Sequence, residues 1–193
     1  PEGVRVRHRV GANSVKMYDK QGTVLRVETT VNDPGDFKVY RGTEADPGRK
    51  DWRRLRRGVA DLHRRAEVSQ ACNDRYLAAL AAARSPRTLG EAVGPACKPV
   101  TRGGRRHRGL RPGHAADMAL VRAAADGRWA VNGFRNADVR AELFGPDGTD
   151  AKARRRRAGQ VTRRLAMLRA HGLVKRVPRA RRWMATDRGR ELA

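Results

Sequence analysis

The stretch AGQVTRRLAMLRAHGLVKRVPRARRWMATDRG, residues 158–189, limits the possible folds more than any other part of the chain. Val161, Leu165 and Leu168 stand at i, i+4 and i+7, which at about 100° per residue lines them along one face of a helix. That face goes inward. Arg156, Gly159, Arg163 and Met167 are expected near the opposite side, with Gln160, Thr162 and Arg164 on the flanks. Gly172 is the expected helix stop. Two short apolar runs, LVKRV and RRWMAT, then flank PRARR, a pattern that predicts two strands turning back at a basic tip.

Charge placement gives this constellation a partner. The chain of 193 residues carries 44 Lys+Arg against 20 Asp+Glu, a formal net charge of +24. That surplus is the footprint of a protein that meets a polyanion. Lysine fills only positions 16, 20, 38, 50, 98, 152 and 175, and the remaining 37 basic residues are arginine. A GC-rich genome produces the same bias, so distribution is more informative than the total. Residues 150–193 hold 15 basic and 3 acidic groups, a net +12, whereas residues 1–50 hold 10 and 7. Half of the surplus therefore sits in the last 44 residues.

The rest of the chain reads as an α+β protein. Val4, Val6, His8 and Val10 alternate; NSVKMYDK and TVLRVETTV flank KQG, and FKVYR follows a turn at NDPGD. Together these predict a small antiparallel sheet over 1–50. RGTEADPGRKD reads as a linker. From Trp52 to Arg84 the spacing of Leu55, Val59, Leu62, Ala66, Tyr76, Leu77 and Leu80 predicts one long amphipathic helix, stopped by SPRT. TLGE has the form of a capping box and predicts a short helix from Leu89 toward Cys97. PVTRGGRRHRGL predicts a hairpin turning at Gly103–Gly104, whose arginines could also meet phosphate. These elements form a middle segment, 51–112. The final segment, 113–193, opens with a helix in HAADMALVRAAADG and a connector, WAVNGF. A second helix, NADVRAELFG, is expected to be capped by Asn136 and closed by Gly145, and a third to begin near Ala151. DRGREL is expected to be a closing turn.

VTRRLAMLRAHGLVKRVPRARRWMATDRGRELA resembles the second half of a bacterial winged helix-turn-helix of the MarR-like kind, over about residues 115–193. The resemblance implies core roles for Val161, Leu165, Leu168, Leu173 and Val174. It implies nucleic-acid contacts from Gln160, Thr162, Arg163 and Arg164 on the helix, and from Lys175, Arg176, Arg179, Arg181 and Arg182 in the wing. The chain departs from that pattern in FGPDGTDAKARRRRAG, a long and basic link, and in the short PRARR tip. Reversing charge at Arg163, Arg164, Arg181 and Arg182 together is expected to abolish salt-sensitive DNA retention with the fold intact.

A second, shorter resemblance lies in KMYDKQGTVLRVETTV, which is similar to part of the sheet in rolling-circle replication initiators. It implies Glu28 as a metal ligand and Tyr18 or Tyr40 as a DNA-nicking nucleophile, although only His8 stands nearby and the family's His pair is missing. NSVKMYDKQGTVLRVETTVNDPGDFKVYR with GVADLHRRAEVSQACNDRYL also resembles the tail of longer bacterial proteins with no known activity. The function expected is binding of double-stranded DNA, with RNA as the second candidate ligand. The rival classes are a metal-dependent nicking enzyme and a winged helix serving as a protein-interaction module. No catalytic residue, metal ligand or cofactor is assigned. His63, His107, His114 and His171 do not cluster, and a cationic His171 suits a helix C-terminus.

Cys72 and Cys97 lack metal-ligand spacing and read as reduced thiols of a cytoplasmic protein. No run approaches the roughly 20 apolar residues that span a bilayer, so no membrane partner is expected. A homodimer is a further option, and PEGVRVRHRV, with neither Met nor a targeting pattern, suggests the tail of a longer protein.

Overall fold

The structure, a computed structural model, describes residues 5–20, 22–82 and 87–193, with Leu89 described in its backbone only. Val4, Gln21 of the KQG turn and Ser85–Pro86 of the expected helix stop lie outside the described residues. The chain is mixed α+β and divides into two compact units, Pro1–Leu77 with Ala130–Asn132, and Ala78–Trp129 with Gly133–Ala193.

In the first unit, β1 (Arg5–Val10), β2 (Asn13–Lys20) and β3 (Val24–Thr30) form an antiparallel sheet in the order β1-β2-β3. Alternation sends Val15 and Met17 of the central strand inward, and both are buried. The linker reading of residues 41–51 fails, since Arg41 and Asp51 belong to strands. β4 (Lys38–Arg41) pairs antiparallel with β5 (Asp51–Arg54), and the Gly/Pro/Asp-rich run is the loop of that hairpin. Its turn is closed by Thr43, whose amide donates to the Asp46 carbonyl (3.1 Å) while its hydroxyl accepts from the Asp46 amide (2.9 Å).

The long helix consequently starts later than its spacing predicted. α1 runs Leu62–Ala82, and Trp52 belongs to β5. Its inward stripe is Val68, Cys72 and Tyr76, at i, i+4 and i+8, while Leu62, Leu77 and Leu80 are exposed. Val68, Cys72 and Tyr76 join Val15, Met17, Phe37, Leu55 and Val131 in the core. Burial pushes the Cys72 thiol up, so this sulfur is packing material rather than a nucleophile. The Arg75 guanidinium donates to the carbonyls of Ala130 (2.8 Å) and Val131 (3.0 Å), which secures the 130–132 segment in this unit.

The second unit contains α2 (Leu89–Cys97), the hairpin β6 (Val100–Arg102) and β7 (Arg105–His107), α3 (Ala115–Ala125), α4 (Asn136–Phe144), α5 (Ala151–Ala170), the hairpin β8 (Val174–Arg176) and β9 (Trp183–Ala185), and α6 (Asp187–Glu191). The capping box of α2 forms as expected: the Glu91 carboxylate accepts from the Thr88 amide (2.9 Å), and Thr88 Oγ1 accepts from the Glu91 amide (3.4 Å). Two end assignments differ from expectation. Asn136 is the first residue of α4 rather than its cap, because Asp138 accepts the Arg135 amide (2.6 Å) and makes Arg135 the N-cap. DRGREL forms α6, capped by Thr186, whose hydroxyl accepts the Gly189 amide (3.1 Å).

WAVNGF does more than connect. Phe134 pairs with Trp183 through both backbone bonds, Phe134 N to Trp183 O at 2.9 Å and Trp183 N to Phe134 O at 2.7 Å. A one-residue strand thus lies beside the β8–β9 hairpin, giving the order α3, bridge, α4, α5, hairpin. Gly133 permits the approach, since a Cβ there would stand 2.3 Å from the Trp183 carbonyl oxygen at a φ of +68°. The core includes Leu120, Phe134, Val139, Val161, Leu165, Leu168, Leu173 and Val174, all nearly inaccessible. Among the described residues no helix is long and apolar enough to cross a membrane.

Candidate nucleic-acid interface

α5 begins where Asp150 accepts the amides of Lys152 (2.8 Å) and Ala153 (3.1 Å). The basic run expected in a long link is therefore helical, and the link itself shrinks to residues 145–150. Asp147 in this link accepts from Nε and Nη2 of Arg140, whose guanidinium holds that carboxyl below the ordinary range, so the link is tied to α4. The far end stops at Gly172, with φ at +73°.

Eight of the twenty residues of α5 are basic and none is acidic. Four arginines occupy its first two turns, where the amide end of the helix is already positive, and Lys152 stands at i, i+3 and i, i+4 from Arg155 and Arg156. Both arrangements cost stability in an isolated helix. Arg155, Arg156, Thr162, Arg163 and Arg169 are exposed, while Val161, Leu165, Met167 and Leu168 are buried. Helical geometry puts Gly159 and Ala166 between those arginines on the outward arc. No salt bridge engages Arg155, Arg156, Arg163, Lys175 or Arg181 among the described residues.

The expected contact residues differ in their surroundings. Arg163, Lys175, Arg179 and Arg181 are exposed, whereas Gln160 and Arg164 are half-buried on the flank. Thr162 is committed elsewhere: its hydroxyl donates to the Ala158 carbonyl (2.9 Å) and accepts from the Asn136 amide group (3.0 Å), which joins α4 to α5. Arg176 lies over the Trp183 ring, 4.1 Å from its centroid.

Arg182 corrects the expectation, because it is only 5% exposed and its guanidinium donates to the Gly133 carbonyl (3.3 Å). It fastens the hairpin to the bridge and does not face solvent. Between them, residues 177–180 form a turn closed by Ala180 N to Val177 O (3.3 Å), with Pro178 at its second position and Arg179 at a φ of 57°.

Met167 is also a correction, being buried where an outward side chain was expected. His171, one turn further along the same arc, is buried too, and its Nε2 is 2.8 Å from the Arg108 carbonyl. The segment following β7 therefore covers this side of α5. Arg102 reaches the same place, donating to the Arg169 carbonyl (2.6 Å) at the negative end of the helix. The β6–β7 hairpin is thus fixed to the end of α5 and presents exposed Arg102, Arg105 and Arg106. The TRGGRRH pattern places Arg102, Arg105 and Arg106 in a hairpin and carries no signal for where that hairpin docks.

Asp117 of α3 anchors this arrangement. It is 1% exposed and accepts from both terminal nitrogens of Arg108 (2.7 and 2.6 Å) and from the Arg111 amide (3.1 Å). The Arg108 guanidinium holds its carboxyl below the ordinary range. A lowered folded-state pKa contributes stability that is present above the ordinary value, about 3.9, and is lost as pH falls through the lowered one. Asp117→Asn is expected to cost about 2 kcal/mol at pH 7, a figure kept small by the solvent exposure of Arg108. Urea titrations followed at the amides of α3 should show variant and parent converging as pH falls below the ordinary carboxylate range, and a gap that does not change with pH would refute the assignment.

The residues of the nicking resemblance are brought together differently from what it implied. Glu28 receives the Tyr18 hydroxyl (2.7 Å), Lys16 (2.7 Å) and Arg26 (2.8 Å). The bond to Glu28 raises the Tyr18 pKa, and Lys16 lowers that of Glu28. The Tyr18 hydroxyl is thus engaged by Glu28, and the Glu28 carboxylate is shared by two cations. Tyr40 lies on another hairpin, opposite Trp52. Among the described residues no group of three or more His, Cys, Asp and Glu side chains could hold a metal ion.

No protein-family model, curated protein or solved structure matches this chain.

Proposed function

We propose that the second unit is a winged helix that binds double-stranded DNA and acts by binding rather than by chemistry. The observation that carries this reading is α5, a helix with eight basic and no acidic residues, in which exposed Arg155, Arg156 and Arg163 form no salt bridge among the described residues. Such a surface is destabilised by its own repulsion and relieved by a polyanion. α5 lies in the major groove, with Arg155, Arg163 and Arg169 directed at phosphates or base edges and Gly159 and Ala166 allowing close approach. The β8–β9 tip, through Lys175, Arg179 and Arg181, meets the backbone on one side. The β6–β7 hairpin supplies Arg102, Arg105 and Arg106 at the end of α5.

Duplex DNA is favoured over duplex RNA because the deep, narrow major groove of A-form RNA does not admit a helix. Retention on a random-sequence duplex, measured across a salt series, tests this. If about six phosphates are contacted, the log–log slope is about −5. A slope near zero, or tighter retention of duplex RNA, would overturn the reading.

A further inference from the structure

The β4–β5 hairpin of the first unit has no part in the duplex interface just described. Tyr40 and Trp52 stand directly opposite one another across it, with ring centroids 5.6 Å apart and planes inclined at 44°. Tyr40 is 56% exposed. Of the other aromatic side chains, Phe37, Tyr76, Trp129, Phe134 and Trp183 are buried and Tyr18 and Phe144 are half-buried, so Tyr40 is the most exposed ring among the described residues.

The strand period puts Lys38 and Arg54, two residues along, on the same face as the rings, and these two cations are themselves paired in register. Like charges directly opposite one another destabilise a hairpin. Arg64 of α1 adds a third cation, with its guanidinium 6.0 Å from the Trp52 centroid and its Nε donating to the Lys38 carbonyl (2.9 Å). Glu67 pairs with Arg64 (2.5 Å), and Asp51 belongs to the opposite face of the hairpin, so cations outnumber acids around the rings. A cross-strand aromatic pair that served only to hold the hairpin together would not need a like-charged pair beside it.

We propose that this face binds single-stranded nucleic acid, with unpaired bases stacking on Tyr40 and Trp52 and the backbone running along Lys38, Arg54 and Arg64. Aromatic rings accept any base on their faces, whereas bases in a duplex are already stacked and paired. The site is independent of the duplex interface on α5.

The test uses the full chain and twelve-nucleotide oligo(dT) and oligo(rU). Each ring contributes about 1–3 kcal/mol per stacked base, so Tyr40→Leu and Trp52→Leu should each weaken binding roughly tenfold or more, with duplex retention unchanged. Tyr40→Phe keeps the ring and should bind like the parent, which separates stacking from any loss of hairpin structure. Trp129 and Trp183 are buried, so quenching of tryptophan fluorescence by the oligomer should disappear in Trp52→Phe while binding persists. Stronger binding of one oligomer identifies the preferred backbone. Unchanged affinity in both leucine variants, or an equal loss on duplex DNA, would refute the site. Loss of duplex binding through α5 substitutions leaves it standing.

Discussion

Replacing Arg155, Arg163 and Arg181 together by glutamate will lower affinity for duplex DNA roughly a thousandfold, at about 1.4 kcal/mol for each lost charge-assisted contact. The choice of residues follows from their surroundings. All three are exposed, and none has a carboxylate partner among the described residues, so their removal breaks no internal ion pair. The same substitution should make the salt slope shallower by about 3, near 0.9 for each phosphate contact given up. Reversal at Arg182 would act differently, because a carboxylate at a position 5% exposed and bonded to the Gly133 carbonyl would disrupt the hairpin itself. Gel retention with circular dichroism on the same samples reads both consequences. Retained affinity in a folded triple variant would move the duplex interface off α5.

Phe134→Ala should be the most damaging single substitution in the second unit, costing about 3–5 kcal/mol. Its ring is wholly buried, 5.9 Å from that of Trp129, and its backbone makes both hydrogen bonds to Trp183. A cavity there loosens the hairpin that carries Lys175, Arg179 and Arg181. Hydrogen exchange of the β9 amides is the suitable measurement, because the chain has two units and a single unfolding curve mixes them. Phe134→Leu should retain most of the protection. Protection in Phe134→Ala equal to that of the parent would show that the bridge does not hold the hairpin.

The legible parts of the chain were those where local periodicity and turn chemistry act alone. Val161, Leu165 and Leu168 have the spacing of an inward face and are buried; Gly172 has the place of a helix stop and stands at a φ of +73°. The Thr88–Glu91 capping box and the Gly103–Gly104 turn also form where expected. The misreadings share one cause, which is that spacing does not say what comes to lie against a residue. Leu55 fits a helical stripe from Trp52 onward, yet Tyr40 draws Trp52 into a strand, and Leu55 is buried in the core beyond it. Met167 and Arg182 both look outward from their own elements. The segment around Arg108 and the bridge at Gly133 and Phe134 bury them.

By itself, then, the sequence determined the α+β class, the charge gradient toward the C-terminus, and the helix-then-hairpin order of the last segment. Each depends on neighbours within a few residues or on simple counting. Only the tertiary structure decided which arginines face solvent, where the β6–β7 hairpin is fastened, and that Tyr40 and Trp52 meet on a surface. Those outcomes depend on contacts between residues far apart along the chain, such as Arg102 with Arg169 and Arg182 with Gly133, which no local pattern encodes.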